Sequence, residues 1–179
     1  MYPYLRLGRI LLNAYRKPTM TMMDESVLHY RARLFDFDLF GELNNGRHLT
    51  MMDLGRFDLS VRSGFWKIVR ERGWVFVVAG ASVRYRRRVP AFSRFSLHTK
   101  LLCADERWAY FHQQIKRGDV VCSEALMRTG ILAKGKALPM DEISAAIGEQ
   151  GIPRELPEWV KAWSEADELR PLAQASSRP

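Results

Sequence analysis

Residues 36–48 read Asp36-Phe37-Asp38-Leu39-Phe40-Gly41-Glu42-Leu43-Asn44-Asn45-Gly46-Arg47-His48, and this stretch changes one periodicity into another. Before it, Val27 to Phe35 alternates as a strand: Val27, His29, Arg31 and Arg33 share one face, and Leu28, Tyr30, Ala32 and Leu34 the other. After it, from about Asn45 to Ser63, the apolar residues Leu49, Met51, Met52, Leu54, Phe57, Leu59 and Val61 spread around most of a helix. A helix that is apolar nearly all round is buried. In a chain of this size, that implies a sheet wrapped around it. Gly64 stops the helix, and Phe65 to Arg72 form a further turn or two before Gly73.

Strand-like runs follow at Trp74–Val89, Phe92–Cys103, Arg107–Arg117 and Val120–Lys134. Pro90-Ala91, Ala104-Asp105-Glu106 and Gly118-Asp119 separate them, and connections this short imply antiparallel hairpins. The order β-α-β-β-β-β predicts an α+β roll, a single antiparallel sheet around one long central helix. Residues 140–149 and 155–168 read as surface helices, and Ala173 to Pro179 as a frayed tail. The chain divides into a basic amphipathic segment at 1–22, the main domain at 23–138, a helical extension at 139–168 and a tail at 169–179.

Composition bounds the rest. A hydrophobic content of 47% and a charged content of 27% are globular values. Cys103 and Cys122 have no metal or redox spacing and read as thiols of a reducing compartment, so a cytoplasmic location is expected. Net charge is +8, which favours anionic partners. The run from Trp74 to Val83 is far shorter than the roughly 20 residues of a membrane span. Arg6 and Arg9 interrupt the apolar N-terminus, so it is a poor signal peptide. Residues 1–17 could contact an anionic membrane surface, or pack on the domain itself or on a partner subunit.

The chemistry of residues 36–48 starts with the helix cap. Asn44 and Asn45 are good N-cap residues, and a helix N-terminus offers free N–H groups with partial positive charge. An acid beside such groups can act as base or nucleophile while the N–H groups hold an oxyanion. Asp38 precedes Asn45 by seven residues, so the loop can fold it back toward the N–H groups of Asn45, Gly46 and Arg47. Asp53 is the rival acid, with an ion pair to Arg56 at i+3 as its structural alternative. Asp36 reads as a loop hydrogen-bond acceptor. No Gly-rich phosphate loop, Ser elbow or metal-ligand cluster is visible.

The pattern Asp-x-Asp-x-x-Gly-x-x-Asn-Asn-x-Arg, with Asp53 and Arg56 on the following helix, resembles the hot-dog thioesterases of the 4-hydroxybenzoyl-CoA type. More narrowly, the chain is similar to member six of the thioesterase superfamily and its bacterial relatives. Ala81 to Arg87, Arg128-Thr129 and Glu155 to Trp159 carry the same likeness. The resemblance implies a hot-dog fold and hydrolysis of an acyl-CoA. Asp38 would be base or nucleophile, Asn45 and Gly46 the oxyanion site, and Asn44, Arg47 and His48 substrate contacts. Coenzyme A enters only as part of the substrate, and neither cofactor nor metal is implied. The chain departs from the plant acyl-carrier-protein enzymes of this fold, which place Asn and His where Phe40 and Glu42 stand. A non-catalytic protein that binds acyl-CoA or lipid is therefore the alternative.

Strand alternation puts Arg84, Arg86 and Arg88 on one face, and Tyr85 and Arg87 on the other. Arginine forks suit the phosphates of coenzyme A. The aromatic residues do not interleave with these arginines as a nucleic-acid stacking platform requires, so nucleic acid is not expected. A single sheet curled on one helix leaves edges open, which predicts a homodimer or tetramer with the site at the subunit boundary.

Overall fold

The computed structural model describes residues 4–148 and 151–171. In chain order these form α1 (Tyr4–Ala14), β1 (Ser26–Arg31), a 3-10 turn (Leu34–Asp36), α2 (Asn45–Arg62), α3 (Phe65–Glu71), β2 (Val75–Tyr85), β3 (Arg94–Ala104), β4 (Ala109–Arg117), β5 (Val120–Ala133), β6 (Lys136–Ala137), α4 (Met140–Ile147) and α5 (Glu158–Glu168). The strands form one antiparallel sheet in the order β1-β3-β4-β5-β2, and β6 adds to β5. The sheet curls around α2: the hot-dog fold predicted from the pattern.

The core sits between α2 and the sheet. Met51, Met52, Leu54 and Leu59 from the helix meet Leu97, Leu101, Phe111 and Ile115 from the strands, all buried. Gly55 allows the close approach, since a Cβ there would lie 2.9 Å from Leu97 Cδ2. Opposite it, the buried Gln113 carboxamide donates to the Met52 carbonyl at 2.7 Å and to Thr99 Oγ1 at 2.8 Å. One of these bonds ties the helix to β4 and the other ties β4 to β3, in addition to the apolar burial.

The outer face of the sheet is covered by α5. Val160 is buried against Cys103, Tyr110 and Leu126, with Trp108 and Trp163 around them. The Arg128 guanidinium lies 5.6 Å from the Trp108 ring and 5.2 Å from the Trp163 ring, and it bonds Asp167 at 2.5 Å. Arg128 therefore anchors α5 on the face away from α2. Burial pushes the Tyr110 hydroxyl up to about 12.

Three expectations are corrected. The first strand stops at Arg31, and Leu34–Asp36 turns as a 3-10 segment, because Asp36 is drawn inward by Arg6 at 2.6 Å. The second strand stops at Tyr85: the N–H groups of Arg86 and Arg87 both reach the Cys122 carbonyl, which breaks the alternation. Pro90-Ala91 closes no hairpin, because β2 pairs with β5 whereas β3 pairs with β1 and β4, so residues 86–93 cross the end of the sheet. Of the readings of the N-terminal segment, packing on its own domain is the one seen, with Ile10 and Ala14 buried and Lys17 paired to the buried Asp58 at 3.1 Å. Helix α4 is a surface helix as expected, with Asp141 and Glu142 exposed, and it buries Met140 and Ile143 on its inner face. The tail expected at 173–179 lies outside the described residues. Among the described residues, no helix is long and apolar enough to cross a membrane.

Candidate functional site

The acidic loop is built by its own backbone. Leu43 N–H donates to the Val89 carbonyl at 2.9 Å, and Asn44 N–H to the Asp36 carbonyl at 2.9 Å. Gly41 takes a φ of +68°, which closes the turn between Asp38 and Glu42. Asp38 Oδ1 accepts from Phe40 N–H at 2.9 Å and from Glu42 N–H at 3.5 Å. Among the described residues Asp38 Oδ2 has no protein partner. One oxygen orients the carboxylate and the other is available. Asp36 is a structural acid: its buried carboxylate holds Arg6 and accepts from Arg33 N–H at 2.8 Å.

Asn44 caps α2 through Oδ1, which accepts from Gly46 N–H at 2.9 Å. The Asn44 carbonyl takes the N–H groups of Arg47 and His48. Gly46 and Arg47 are thus satisfied internally, contrary to the expectation for Gly46. The Asn45 N–H has no acceptor among the described residues and remains the open donor at the helix start. The Arg47 side chain reaches the Phe35 carbonyl at 3.1 Å, back across the loop.

His48 points inward rather than toward a ligand. It is 3% exposed, its Nδ1 lies 2.8 Å from Ser123 Oγ, and its ring stands edge-on to Tyr85 with centroids 5.2 Å apart. Burial pushes its pKa down to about 4, against the opposing pull of the Leu43 backbone. The imidazole is neutral at physiological pH. Tyr85 in turn donates its hydroxyl to the Asn45 carbonyl at 3.1 Å, which ties the end of β2 to the start of α2.

The second acid occupies a different place. Asp53 bonds Arg56 at 3.0 Å, and Arg56 reaches Gln113 Oε1 at 2.5 Å. Asp53 and Arg56 line a cavity of ≈ 210 Å³ whose walls are otherwise largely apolar. Phe76, Val77 and Val78 of β2 form one wall, and Ile143 and Ile147 of α4 another. This is the shape and chemistry of a pocket for an apolar chain with a polar group near it.

The arginines divide in the same way. Arg84 and Arg86 both hold Glu124 Oε1, at 3.6 and 3.0 Å. Burial would raise the Glu124 carboxyl, but the Arg86 hydrogen bond and charge, with Gln114 and His112, bring it below its ordinary value. Arg88 stands apart. It pairs with Glu42 at 3.1 Å and donates to the Phe40 carbonyl at 3.3 Å, so it belongs to the acidic loop of its own chain. Among the described residues, no group of three or more His, Cys, Asp and Glu could hold a metal ion.

Sequence reasoning missed Gln113, Tyr85 and the α4 wall. Gln113 carried a signal: Phe111, Gln113 and Ile115 share one strand face, and a polar residue between two apolar ones is held by a partner. The Tyr85 contact and the α4 wall join residues far apart in the chain and have no local signature.

A profile of the thioesterase-like superfamily matches residues 19–164. Protein THEM6 of Drosophila melanogaster is 31% identical over 137 residues, covering 75% of this chain and 69% of that protein. The Xenopus laevis THEM6 is 27% identical over 129 residues, covering 70% and 62% respectively. Among solved structures, the YbaW probable thioesterase from Escherichia coli superposes with a TM-score of 0.63 at 21% identity, covering 68% of this chain and 95% of that one. A DHNA-CoA thioesterase from Staphylococcus aureus gives a TM-score of 0.60 at 16% identity, covering 81% and 92%. At those identities the structures attest the fold. The profile and the Drosophila relative attest more: the chain belongs to the thioesterase-like superfamily, with the hot-dog fold and the thioester-hydrolase class of activity that go with it.

Proposed function

We propose that the protein hydrolyses an acyl-CoA thioester with Asp38 as the acid and the start of α2 as the oxyanion site. The observation that carries this reading is a pair of open groups: Asp38 Oδ2 on the loop and the Asn45 N–H on the helix. Asp38 either removes a proton from the water that attacks the carbonyl, or attacks it directly to give a mixed anhydride that water then opens. Both routes release coenzyme A as the thiol and the acyl group as a carboxylate. The Asn45 N–H bonds the carbonyl oxygen as negative charge develops on it. Neither route needs a metal or a redox group. Arg47, Arg84, Arg86 and Arg88 are the candidates for the coenzyme phosphates. The two free thiols, both buried, suit a cytoplasmic setting.

The working unit in this reading is at least a homodimer paired through β2. That strand ends the sheet order, and Val75, Val78 and Tyr85 on it are exposed. Antiparallel pairing about a two-fold axis brings the Tyr85 end of one β2 to the Val75 end of the other. Tyr85 touches the start of α2, whereas Val77 and Val78 line the cavity. The acidic loop of one chain would then serve the acyl cavity of its partner. The test is hydrolysis across a panel of straight-chain acyl-CoAs, with Asp38→Asn beside the natural chain. Unchanged turnover in the variant removes Asp38 from the mechanism.

A second reading, acyl-CoA binding without cleavage, has its own support. The cap leaves Asn45 as the open donor while Gly46 is occupied, and one donor stabilises an oxyanion less than two. Tight binding of a non-hydrolysable alkyl-CoA, with no turnover of any thioester in the panel, would select it.

A further inference from the structure

The end of the sheet that carries the acidic loop also carries exposed apolar side chains and unpaired arginines. Register defines that end: β1 finishes at Arg31 opposite Arg94, and β4 finishes at Arg117 opposite Val120. Residues 32–44 and 86–93 cross it side by side, joined by the Glu42–Pro90 bridge and by Ala91 N–H on the Gly41 carbonyl at 2.8 Å. Leu34, Phe35, Leu39 and Phe40 project from the first segment, 67%, 84%, 101% and 80% exposed, and Phe92, 55% exposed, from the second. Single exposed apolar residues are ordinary, but a group of them on adjoining loops is not.

Phe92 adds a backbone anomaly. Its φ of +57° is rare for an aromatic residue and disfavoured by sterics, yet the turn is held by Ser93 Oγ on the Pro90 carbonyl at 2.7 Å. Its carbonyl accepts from Arg31 Nε at 2.8 Å, which fixes the arginine beside the aromatic loop.

The charges at this end are unbalanced. Among the described residues, Arg31, Arg33, Arg87, Arg94 and Arg117 have no carboxylate within ion-pair reach. Arg31 and Arg94 face each other across the strand pair, an arrangement that destabilises a sheet. Arg87, Arg88, Arg94 and Arg117 converge on one surface pocket. Apolar tips beside arginines that lack counter-ions match a surface whose phosphates lie above hydrocarbon.

We propose that this end of the sheet docks on an anionic lipid bilayer. Leu34, Phe35, Leu39 and Phe40 enter the headgroup boundary, and Arg31, Arg87, Arg94 and Arg117 meet the lipid phosphates. The surface is distinct from α1, whose inner face is used by the domain itself. Docking puts the acidic loop at the lipid interface, but it rests on the surface alone and stands whether or not Asp38 is catalytic.

The experiment is flotation of the full chain with phosphatidylcholine vesicles, with and without phosphatidylglycerol. The protein should float with the anionic vesicles alone. Raising salt from about 0.1 M to about 1 M, which shortens the Debye length from about 10 Å to about 3 Å, should release it. Arg94→Ser and Arg117→Ser should each lower the partition about fivefold. Leu39→Ser combined with Phe40→Ser should lower it at least about tenfold. Circular dichroism reports whether the variants fold, and the salt series needs no variant. Failure to float with anionic vesicles overturns the proposal, as does flotation that ignores both salt and the variants. A halved mass for the Leu39→Ser/Phe40→Ser chain in light scattering also overturns it, by assigning these loops to a subunit contact.

Discussion

Asp38 and Asp53 belong to the same short stretch of chain, yet the fold uses them in opposite ways. Asp38 sits on a loop, anchored through one oxygen by Phe40 and Glu42 N–H groups, with the other oxygen open among the described residues. Asp53 sits on α2 and is held by Arg56, which is itself held by the buried Gln113. The first arrangement orients a carboxylate and leaves it reactive. The second neutralises one and makes it part of a helix-to-sheet brace. The apolar cavity, however, lies beside Asp53, whereas the open donor among the described residues at the helix start is the Asn45 N–H. Within one chain Asp38 does not line the apolar cavity, and the proposed two-fold pairing along β2 would bring the two together.

The contrast between the acids breaks most easily on turnover. Asp38→Asn should lower kcat by about 10²–10⁴-fold, the usual contribution of a positioned base, with stability nearly unchanged. Asp53→Asn should leave kcat within about an order of magnitude, because its charge is already committed to Arg56. A larger loss in Asp53→Asn than in Asp38→Asn, read by steady-state kinetics on one acyl-CoA, would exchange the two roles.

The interior of the helix start can be tested by pH. His48 is neutral in the fold, with a pKa near 4 against 6.5 for a free histidine. Above pH 6.5 both states are neutral, and the full stability is present. As pH falls toward 4 the unfolded chain takes up a proton that the folded one refuses, so stability falls by about 3 kcal/mol across that window. Urea unfolding at a series of pH values should show this loss, and His48→Gln should remove that part of it. An equal slope in both proteins would place His48 in contact with solvent.

Smaller effects separate the brace from the pocket. Arg56→Met leaves the Gln113 carbonyl without its donor and should cost about 1–3 kcal/mol in chemical unfolding. Ile143→Ala removes part of the α4 wall and should move the preferred acyl-CoA toward longer chains by a few carbons, read as kcat/KM across the panel. It will also cost stability, about 2–5 kcal/mol, because the residue is buried. An unchanged chain-length profile in a folded Ile143→Ala protein would remove the cavity from substrate selection.

Much of the fold was legible because it rests on local periodicity. The burial of α2 follows from Met51, Met52, Leu54 and Leu59, and two hairpins follow from Ala104-Asp105-Glu106 and Gly118-Asp119, whereas Pro90-Ala91, read as a third, lies in a crossover between strands that do not pair. The errors fell where long-range contacts override local pattern. Arg6 pulls Asp36 inward and ends β1 early, and Cys122 takes two consecutive N–H groups and ends β2 early. At the site, the cap at Asn44 was readable from residue type. The occupation of Gly46 by that same cap, the inward turn of His48 onto Ser123 and the α4 wall were not. Each depends on which partner a side chain meets, and a strand 75 residues away supplies the partner of His48.

The most direct test of the shared site is complementation between two inactive chains. Asp38→Asn removes the acid, and Ile143→Trp fills the acyl cavity from α4. Each variant should form a dimer, at twice the chain mass of 20.8 kDa in light scattering, with little activity of its own. After unfolding and refolding together, half of the dimers are mixed and each holds one intact site, so activity should return to about a quarter of the natural level. A mixture that stays inactive while every species dimerises would contradict a site built from Asp38 of one chain and the cavity of the other.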